Sequence, residues 1–329
     1  MSRNLRAGLI GFGMMGRNHA RVLSNLEGVD FVGIVDIDSS SITDANNRPT
    51  FSNLAELVRM RIDYAVVAVP TIFHLEVGRE LAELGIHTLI EKPLAQNVLA
   101  SRELLRCFSD ANLVSAVGHI ERYNPAIQEA KKRLHDLGTI HQIVTRRQGP
   151  FPSRVSDIGV IMDLATHDID TVSWISSQQY EEVTARTVTK SGRDHEDLLV
   201  AIALLKNGTP ISHLVNWLSP SKERLTVITG EGGTLTVDTL NSDLTFHANG
   251  NITSSWNEMA NFRGLTEGLM TRYAIPKHEP LRTEHENFRN AVLGKESDIV
   301  TLEQGFQNVL IAEAMQASSL TNETIRIKY

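Results

Sequence analysis

Ala7-Gly8-Leu9-Ile10-Gly11-Phe12-Gly13-Met14-Met15-Gly16 is an apolar run that breaks into a Gly-x-Gly-x-x-Gly turn. Twenty residues beyond Gly16, the acid Asp36 closes a second apolar run, Phe31-Val32-Gly33-Ile34-Val35. Strand, glycine turn, helix, strand and acid in this order are the fingerprint of a dinucleotide-binding βαβ unit. Gly11 makes the tight strand-to-helix turn, Gly13 lets the backbone approach a pyrophosphate, and Gly16 allows close packing of helix on strand. The pyrophosphate then rests on the amides and positive dipole end of the helix that starts here. Gly11, Phe12, Gly13, Met14, Met15 and Gly16 are accordingly assigned to the cofactor. A carboxylate at Asp36 accepts hydrogen bonds from an adenosine ribose and repels a 2′-phosphate. Ile37 and Asp38 supply no cation to hold one, although Arg48 could fold back toward the site. NAD is favoured over NADP.

The 329 residues suffice for two domains, each with its own core. A content of 41% hydrophobic and 22% charged residues is the balance of an ordinary globular protein. The longest wholly apolar run, Leu198 to Leu205, is far shorter than the ~20 residues that span a bilayer. No apolar signal segment stands at the N-terminus, where Arg3 and Arg6 flank a strand. One cysteine, Cys107, excludes an internal disulfide and fits a reducing compartment. The net charge of −7 argues against a nucleic-acid surface, and Lys131-Lys132-Arg133 reads as the solvated face of a helix. A cytoplasmic protein without nucleic-acid or membrane partners is expected.

The first ~120 residues alternate strand and helix, the grammar of a parallel sheet covered on both faces. Strands read as 7–10, 31–35, 64–69, 88–90 and 113–117, nearly continuous apolar runs. Asn53-Leu54-Ala55-Glu56 reads as a capping box, and Gly85 ends a helix that begins near Phe73. After Gly118 the pattern changes. A helix starts at Pro125 and ends before Gly138, longer strands dominate from His141, and one helix intervenes at 162–175. Asn207-Gly208 and Gly230-Glu231-Gly232-Gly233 both read as hairpin turns. Two helices close the chain, 284–293 and one opened by the capping box Thr301-Leu302-Glu303-Gln304, and the stretch 249–280 is expected to hold a long loop. The expected class is α/β: a Rossmann dinucleotide-binding domain over 1–122, then an α+β domain over 123–329 with a large, mainly antiparallel sheet. In such a pair the ligand site lies at the carboxyl ends of the parallel strands, facing the second domain.

Two of those strand ends carry chemistry. One runs Val69-Pro70-Thr71-Ile72-Phe73-His74 and the next Glu91-Lys92-Pro93. Pro70 and Pro93 stiffen the turns, and Lys92, leaving a central buried strand, could donate to a substrate hydroxyl; a surface lysine in a loop remains the other reading. Further on, Asp163 and His167 are four apart and share one helical face. A carboxylate beside an imidazole orients the ring and stabilises its cation, which suits a proton acceptor for an alcohol. An ordinary i, i+4 surface pair stays open at this point, and no third residue with recognisable spacing suggests a metal. His19 reads as a structural hydrogen-bonder and Trp217 as core. His119, at the edge of the cleft, could touch nicotinamide or substrate.

Together these segments resemble the glucose–fructose oxidoreductase and inositol dehydrogenase family (Gfo/Idh/MocA) over nearly the whole chain. The resemblance rests on Gly11–Gly16, Pro70-Thr71 with His74, Glu91-Lys92-Pro93, Arg122-Tyr123-Asn124-Pro125, Asp163 with His167, and Glu279-Pro280-Leu281 with Phe288. It implies an NAD(P)-dependent oxidoreductase acting on a sugar, a cyclitol or a nucleotide-activated sugar. It further implies that Lys92 binds the reacting hydroxyl and contacts the cofactor, and that Asp163 and His167 bind the sugar and shuttle its proton. By the same resemblance Pro70, Thr71, His74, Glu91, Lys92 and Pro93 border the cofactor. His119, Arg122 and Tyr123 join Lys92, Asp163 and His167 around the substrate, with Arg122 and Tyr123 at the entrance. One departure stands out: the family often carries several glycines before the aspartate, whereas here only Gly159 precedes Val160-Ile161-Met162. The phrases 118–125 and 216–220 look like the branch that includes UDP-N-acetylglucosamine 3-dehydrogenases. The alternatives are an inositol or free-sugar dehydrogenase, an NAD-using glycosidase on the same fold, and a non-catalytic NAD-responsive regulator. A homodimer or homotetramer through the C-terminal sheet is expected.

Overall fold

The computed structural model describes residues 3–37, 48–152, 158–250 and 266–329. Asp38, and residues 251–265 of the expected loop, lie outside them. Two compact units emerge: Met1–Ile120 with Glu279–Leu310, and Glu121–His278 with Ile311–Tyr329.

The first unit is built on a six-stranded parallel sheet. Its strands are β1 (Leu5–Ile10), β2 (Val29–Val35), β3 (Thr50–Phe51), β4 (Tyr64–Val67), β5 (His87–Glu91) and β6 (Ser115–Gly118), in the order β3-β2-β1-β4-β5-β6. Chain order reverses between β1 and β4, and ligands of such sheets bind outside the carboxyl ends at that switch point. All four residues of β4 are buried, which is why the strand reads as an unbroken apolar run. Helices α1 (Met14–Leu23), α2 (Leu54–Val58), α3 (His74–Glu83) and α4 (Val98–Asp110) make the crossovers. Asn53 caps α2 by accepting from the Glu56 N–H at 3.1 Å, and Gly85 closes α3 at φ +71°. The two-residue edge strand β3 is too short to leave a periodic signal.

Two helices at the end of the chain, α7 (Pro280–Val292) and much of α8 (Leu302–Thr321), belong to this first unit. The sequence boundary that assigned all of 123–329 to the second domain is thereby corrected. Phe288 of α7 packs edge-on against Tyr64 with ring centroids 5.5 Å apart, and the Val117 N–H donates to the Val300 carbonyl at 2.9 Å. Local patterning shows these helices but not the sheet to which they return. The capping box of α8 is complete: the Gln304 N–H donates to Thr301 Oγ1 at 3.3 Å, and the Thr301 N–H to Gln304 Oε1 at 3.1 Å.

The second unit holds a nine-stranded sheet in the order β14-β13-β12-β11-β7-β10-β9-β8-β15. Its strands are β7 (Ile140–Pro150), β8 (Tyr180–Val188), β9 (Leu198–Leu205), β10 (Pro210–Asn216), β11 (Leu218–Gly230), β12 (Gly233–Asp238), β13 (Asp243–Gly250), β14 (Thr266–Arg272) and β15 (Ile325–Arg326). Neighbours are antiparallel except β7 with β10. Both expected hairpins form, β9–β10 around Gly208 at φ +84° and β11–β12 at Gly230–Gly233. Strand β14 occupies part of the stretch expected to be loop. Helix α5 (Pro125–Lys132) is capped by Asn124, and α6 (Thr166–Ser176) follows a π-helical turn, Ile161–Ala165. An α-helix over all of 162–175 was expected; its first turn is widened instead.

His213 of β10 is fully buried between Thr145 Oγ1 at 2.7 Å and the Tyr180 hydroxyl at 2.9 Å. Burial holds the imidazole down to about 4, from an ordinary 6.5, and the nearby charge of Asp168 only partly opposes this. Between those values the unfolded chain binds a proton that the folded one refuses, so stability falls as pH drops from 6.5 toward 4. The share of His213 is on the order of 3 kcal/mol. Urea unfolding at the two ends of this window should show the loss, and His213→Gln should flatten it. An unchanged slope in that variant would remove His213 as its source.

Candidate active site

In the first unit the glycine turn is shaped as its spacing implies. Gly11 sits at φ +92°, and a Cβ there would stand 2.6 Å from the Ala68 carbonyl oxygen. A Cβ on Gly16 would lie 2.1 Å from the Gly11 oxygen, so only glycine lets α1 approach β1 this closely. A Cβ on Gly13 would meet nothing within 4 Å: the backbone there is bare and open, as a pyrophosphate cradle requires. Gly13 is also the N-cap of α1 and makes no side-chain capping bond. Asp36 is tied to the same turn, accepting the Phe12 N–H on Oδ2 at 2.7 Å. Its position after β2 and its link to the turn fit the dinucleotide as NAD. Arg48 lies with its guanidinium 5.7 Å from the centroid of the Phe31 ring.

The turns after β4 and β5 are knit together by His74. Its ring is buried, with Nδ1 3.1 Å from the Pro93 carbonyl and 3.2 Å from that of Leu94, and Nε2 3.0 Å from that of Val69. Burial pushes this imidazole below its ordinary range, more than the three carbonyls raise it. His74, expected to border the cofactor, faces backbone carbonyls with both nitrogens and holds the turn of Pro70 and Thr71 to that of Pro93. Glu91 also turns inward. Its Oε1 is 2.8 Å from His19 Nε2, and its Oε2 accepts the Lys92 N–H at 3.1 Å. His19 is thus the hydrogen-bonder that the sequence suggested. Lys92 is half-buried at the end of β5, the Lys92-Pro93 bond is cis, and His119 is buried just past β6.

In the second unit Asp163 lies in the π turn and His167 in the first turn of α6; both are buried. That disposes of an exposed surface pair. π turns recur at functional sites because they re-aim side chains within a helix. The start of this segment is held by a residue that the sequence reading missed. Glu196 accepts the Ile161 N–H on its carboxylate at 3.1 Å and the Val160 N–H on its backbone carbonyl at 3.0 Å. A Cβ on Gly159 would collide with that carboxylate at 2.1 Å, which explains the single glycine before the aspartate.

Arg122 departs from expectation. Rather than lining an entrance, its guanidinium is buried and pairs in a fork with Asp170 of α6, at 2.8 Å and 2.6 Å. The neighbouring Tyr123 is buried too. Arg147 of β7 binds Asp168 at 2.8 Å and Glu121 at 3.1 Å, and Arg224 reaches Glu121 at 3.2 Å. Burial alone would raise Glu121, but Arg147 and Arg224 outweigh it and hold the carboxyl below its usual range. The pairs to Asp168 and Asp170 clamp α6, and with it His167, to β7 and to the turn 120–123, and Glu121 ties that turn to β7 and β11. A glutamate and an arginine in 118–125, with two aspartates after His167, were the available signal.

Residues 5–119 match the model of an oxidoreductase family with an NAD-binding Rossmann fold, and residues 127–236 match the GFO/IDH/MocA C-terminal domain. The chain belongs to the GFO/IDH/MocA family. It is an NAD-binding oxidoreductase of the kind that acts on CH–OH groups. Among its relatives is the UDP-N-acetylglucosamine 3-dehydrogenase of Acidithiobacillus ferrooxidans, 27% identical over 291 residues that cover 88% of this chain and 89% of that protein. A solved structure of the same enzyme superposes with a TM-score of 0.84 at 25% identity, covering 96% of this chain and 98% of the other. Another family member, the inositol 2-dehydrogenase of Rubrobacter xylanophilus, is 26% identical over 271 residues, 78% of either chain. Among the described residues no helix is long and apolar enough to cross a membrane.

Proposed function

We propose that the protein is an NAD-dependent dehydrogenase that oxidises a ring hydroxyl of a nucleotide-activated sugar, with the C3 hydroxyl of UDP-N-acetylglucosamine the leading candidate. One observation carries the chemistry: His167 and Asp163 are buried on consecutive turns of a helical segment that four arginine–carboxylate pairs and Glu196 hold in place. An imidazole so held is a preorganised proton acceptor. NAD, when bound, supplies the hydride acceptor. His167 takes the hydroxyl proton, Asp163 orients the imidazole and stabilises its cation, and Lys92 donates to the same oxygen as negative charge develops there. The choice of a nucleotide sugar over an inositol is supported by the relative from Acidithiobacillus and by the phrases 118–125 and 216–220.

Mixing the protein with NAD or NADP and a panel of inositols, free sugars and UDP-sugars, while following NADH absorbance, tests the reading. Signal with a UDP-sugar and NAD is expected. A flat trace across the panel, with NAD binding confirmed separately, would contradict it. Removing the ribose acceptor with Asp36→Ala should weaken NAD by roughly tenfold or more and narrow its advantage over NADP, since a charge-assisted bond is worth about 1.5–3 kcal/mol. Turnover at saturating NAD should hardly change. A normal NAD dissociation constant in this variant would remove Asp36 from the ribose.

The cytoplasm is the proposed compartment, and a homo-oligomer through the nine-stranded sheet is the proposed assembly. Support for the latter is the outward row Val200 and Ile202 on β9, 45% and 63% exposed, alternating with buried Leu199, Ala201 and Ala203. Ile202→Glu should shift the sedimentation coefficient toward the monomer; an unaltered value would exclude that face.

A further inference from the structure

The first unit holds a basic cavity at the end of its sheet opposite the glycine turn. Arg3, Arg6, Arg59 and Arg61 line it together with Met60, Ile62 and Asp63, around a volume of about 680 Å³. It lies beside the amino ends of β1 and β4, which begin at Leu5 and Tyr64. Strand β1 runs six residues from there to Ile10. At about 3.3 Å per residue, the cavity stands on the order of 17 Å from the Gly11 turn. It is a second site, apart from the dinucleotide cradle.

Asp63 organises the wall of this cavity. Arg3 grips its carboxylate with two guanidinium nitrogens at 2.6 Å and 2.9 Å, and the Arg6 N–H donates to Oδ2 at 2.7 Å. The Asp63 N–H returns a bond to the Arg6 carbonyl at 2.8 Å. Arg6 is half-buried, and its Nε donates to the Met60 carbonyl at 2.9 Å. Arg61, at φ +54°, turns the chain between α2 and β4. The one acid is thus spent on Arg3. Among the described residues the guanidinium groups of Arg6, Arg59 and Arg61 form no ion pair. Four arginines less one aspartate leave a formal charge of +3 here, on a chain whose net charge is −7. Like charges so gathered repel one another, and an anion between them relieves the repulsion.

The chemistry of the wall selects the anion. Guanidinium forks match the paired oxygens of phosphate groups, and three uncompensated charges suit a di- or triphosphate. The volume is that of a site for an organic ligand, roughly 300–1,000 Å³, and exceeds what bare phosphate groups fill. Half-buried Met60 and Ile62 offer apolar surface to the carrier of those groups. We propose that this cavity binds a nucleoside polyphosphate, with Arg6 as the fixed anchor and the exposed Arg59 and Arg61 as its partners on the phosphates. Neither the ligand nor the test depends on the dehydrogenase reading.

Isothermal titration calorimetry of magnesium-free ATP into protein saturated with NAD tests this, because NAD fills the dinucleotide cradle. One ATP should bind per chain, more tightly than inorganic pyrophosphate and less tightly as salt rises. Arg59→Glu combined with Arg61→Glu should weaken ATP at least about tenfold, since two charge-assisted contacts become repulsive. The NAD dissociation constant of the same variant should match the parent, which also shows that it folds. Lys328→Glu, an exposed charge change in the second unit, should bind ATP as the parent does. If the double variant does not fold, Arg59→Gln should weaken ATP several-fold in the same direction. Absence of ATP binding, or equal binding by parent and folded variant, would overturn the proposal. Pyrophosphate bound as tightly as ATP would overturn the nucleoside assignment.

Discussion

His167→Asn should lower turnover by about 10²- to 10⁴-fold, the usual contribution of a positioned acid–base group. The NAD dissociation constant should stay within about twofold, because the loss falls on the transition state and not on ground-state binding of the cofactor. Asparagine keeps a polar group of similar reach but cannot take a proton at neutral pH. His167 lies in the second unit on α6, whereas the Gly-x-Gly-x-x-Gly turn and Asp36 lie in the first. Equal losses in turnover and in NAD affinity would therefore refute the assigned role. Stopped-flow turnover with the UDP-sugar, beside fluorescence titration of NAD, separates the two quantities.

The second large effect is on stability. Arg147→Met should cost about 3–5 kcal/mol, because removing one partner leaves the buried Asp168 and Glu121 carboxylates without their main compensation. The guanidinium is strongly held in its charged form: its own burial opposes the charge, but Asp168 and Glu121 outweigh that. Adding Glu121→Gln to Arg147→Met should restore part of the loss by removing one stranded charge. Urea unfolding of the parent, the single variant and the double variant checks this. A loss under about 1 kcal/mol would place the network with ordinary surface pairs and leave α6 without its clamp.

Much of the fold is legible because its signals are local. The glycine turn, the buried apolar strands, Gly85, the Thr301 capping box and the hairpin at Gly208 each specify a backbone conformation over a few residues, and each forms where the sequence places it. What escapes is tertiary. Phe288 and Val300 belong with Tyr64 and Val117, more than 180 residues earlier in the chain. No local pattern says which sheet a returning helix covers. The π turn at 161–165 is likewise set by Glu196 and Gly159 rather than by helical periodicity.

The site divides in the same way. Gly11, Gly16 and Asp36 are legible because a tight strand-to-helix turn imposes a fixed spacing, and the turn forms there with Asp36 accepting the Phe12 N–H. Charged residues in the same motifs were harder to read, since a motif gives a residue type but not the direction of its side chain. Arg122, expected at the substrate entrance, pairs with Asp170, and His74 and Glu91, expected beside the cofactor, face backbone carbonyls and His19. Buried partners such as Arg147 and Glu196 carry no spacing of their own.

On the proposed reading, a sugar carbon gives its hydride to NAD on this protein. UDP-N-acetylglucosamine deuterated at C3, incubated with the protein and NAD, tests this in one step. The reduced cofactor, isolated and weighed by mass spectrometry, should gain one deuterium, and the sugar should become the 3-keto product. Reduced cofactor without deuterium would contradict the ring position, and no reduction with a cofactor that binds would contradict the dehydrogenase itself.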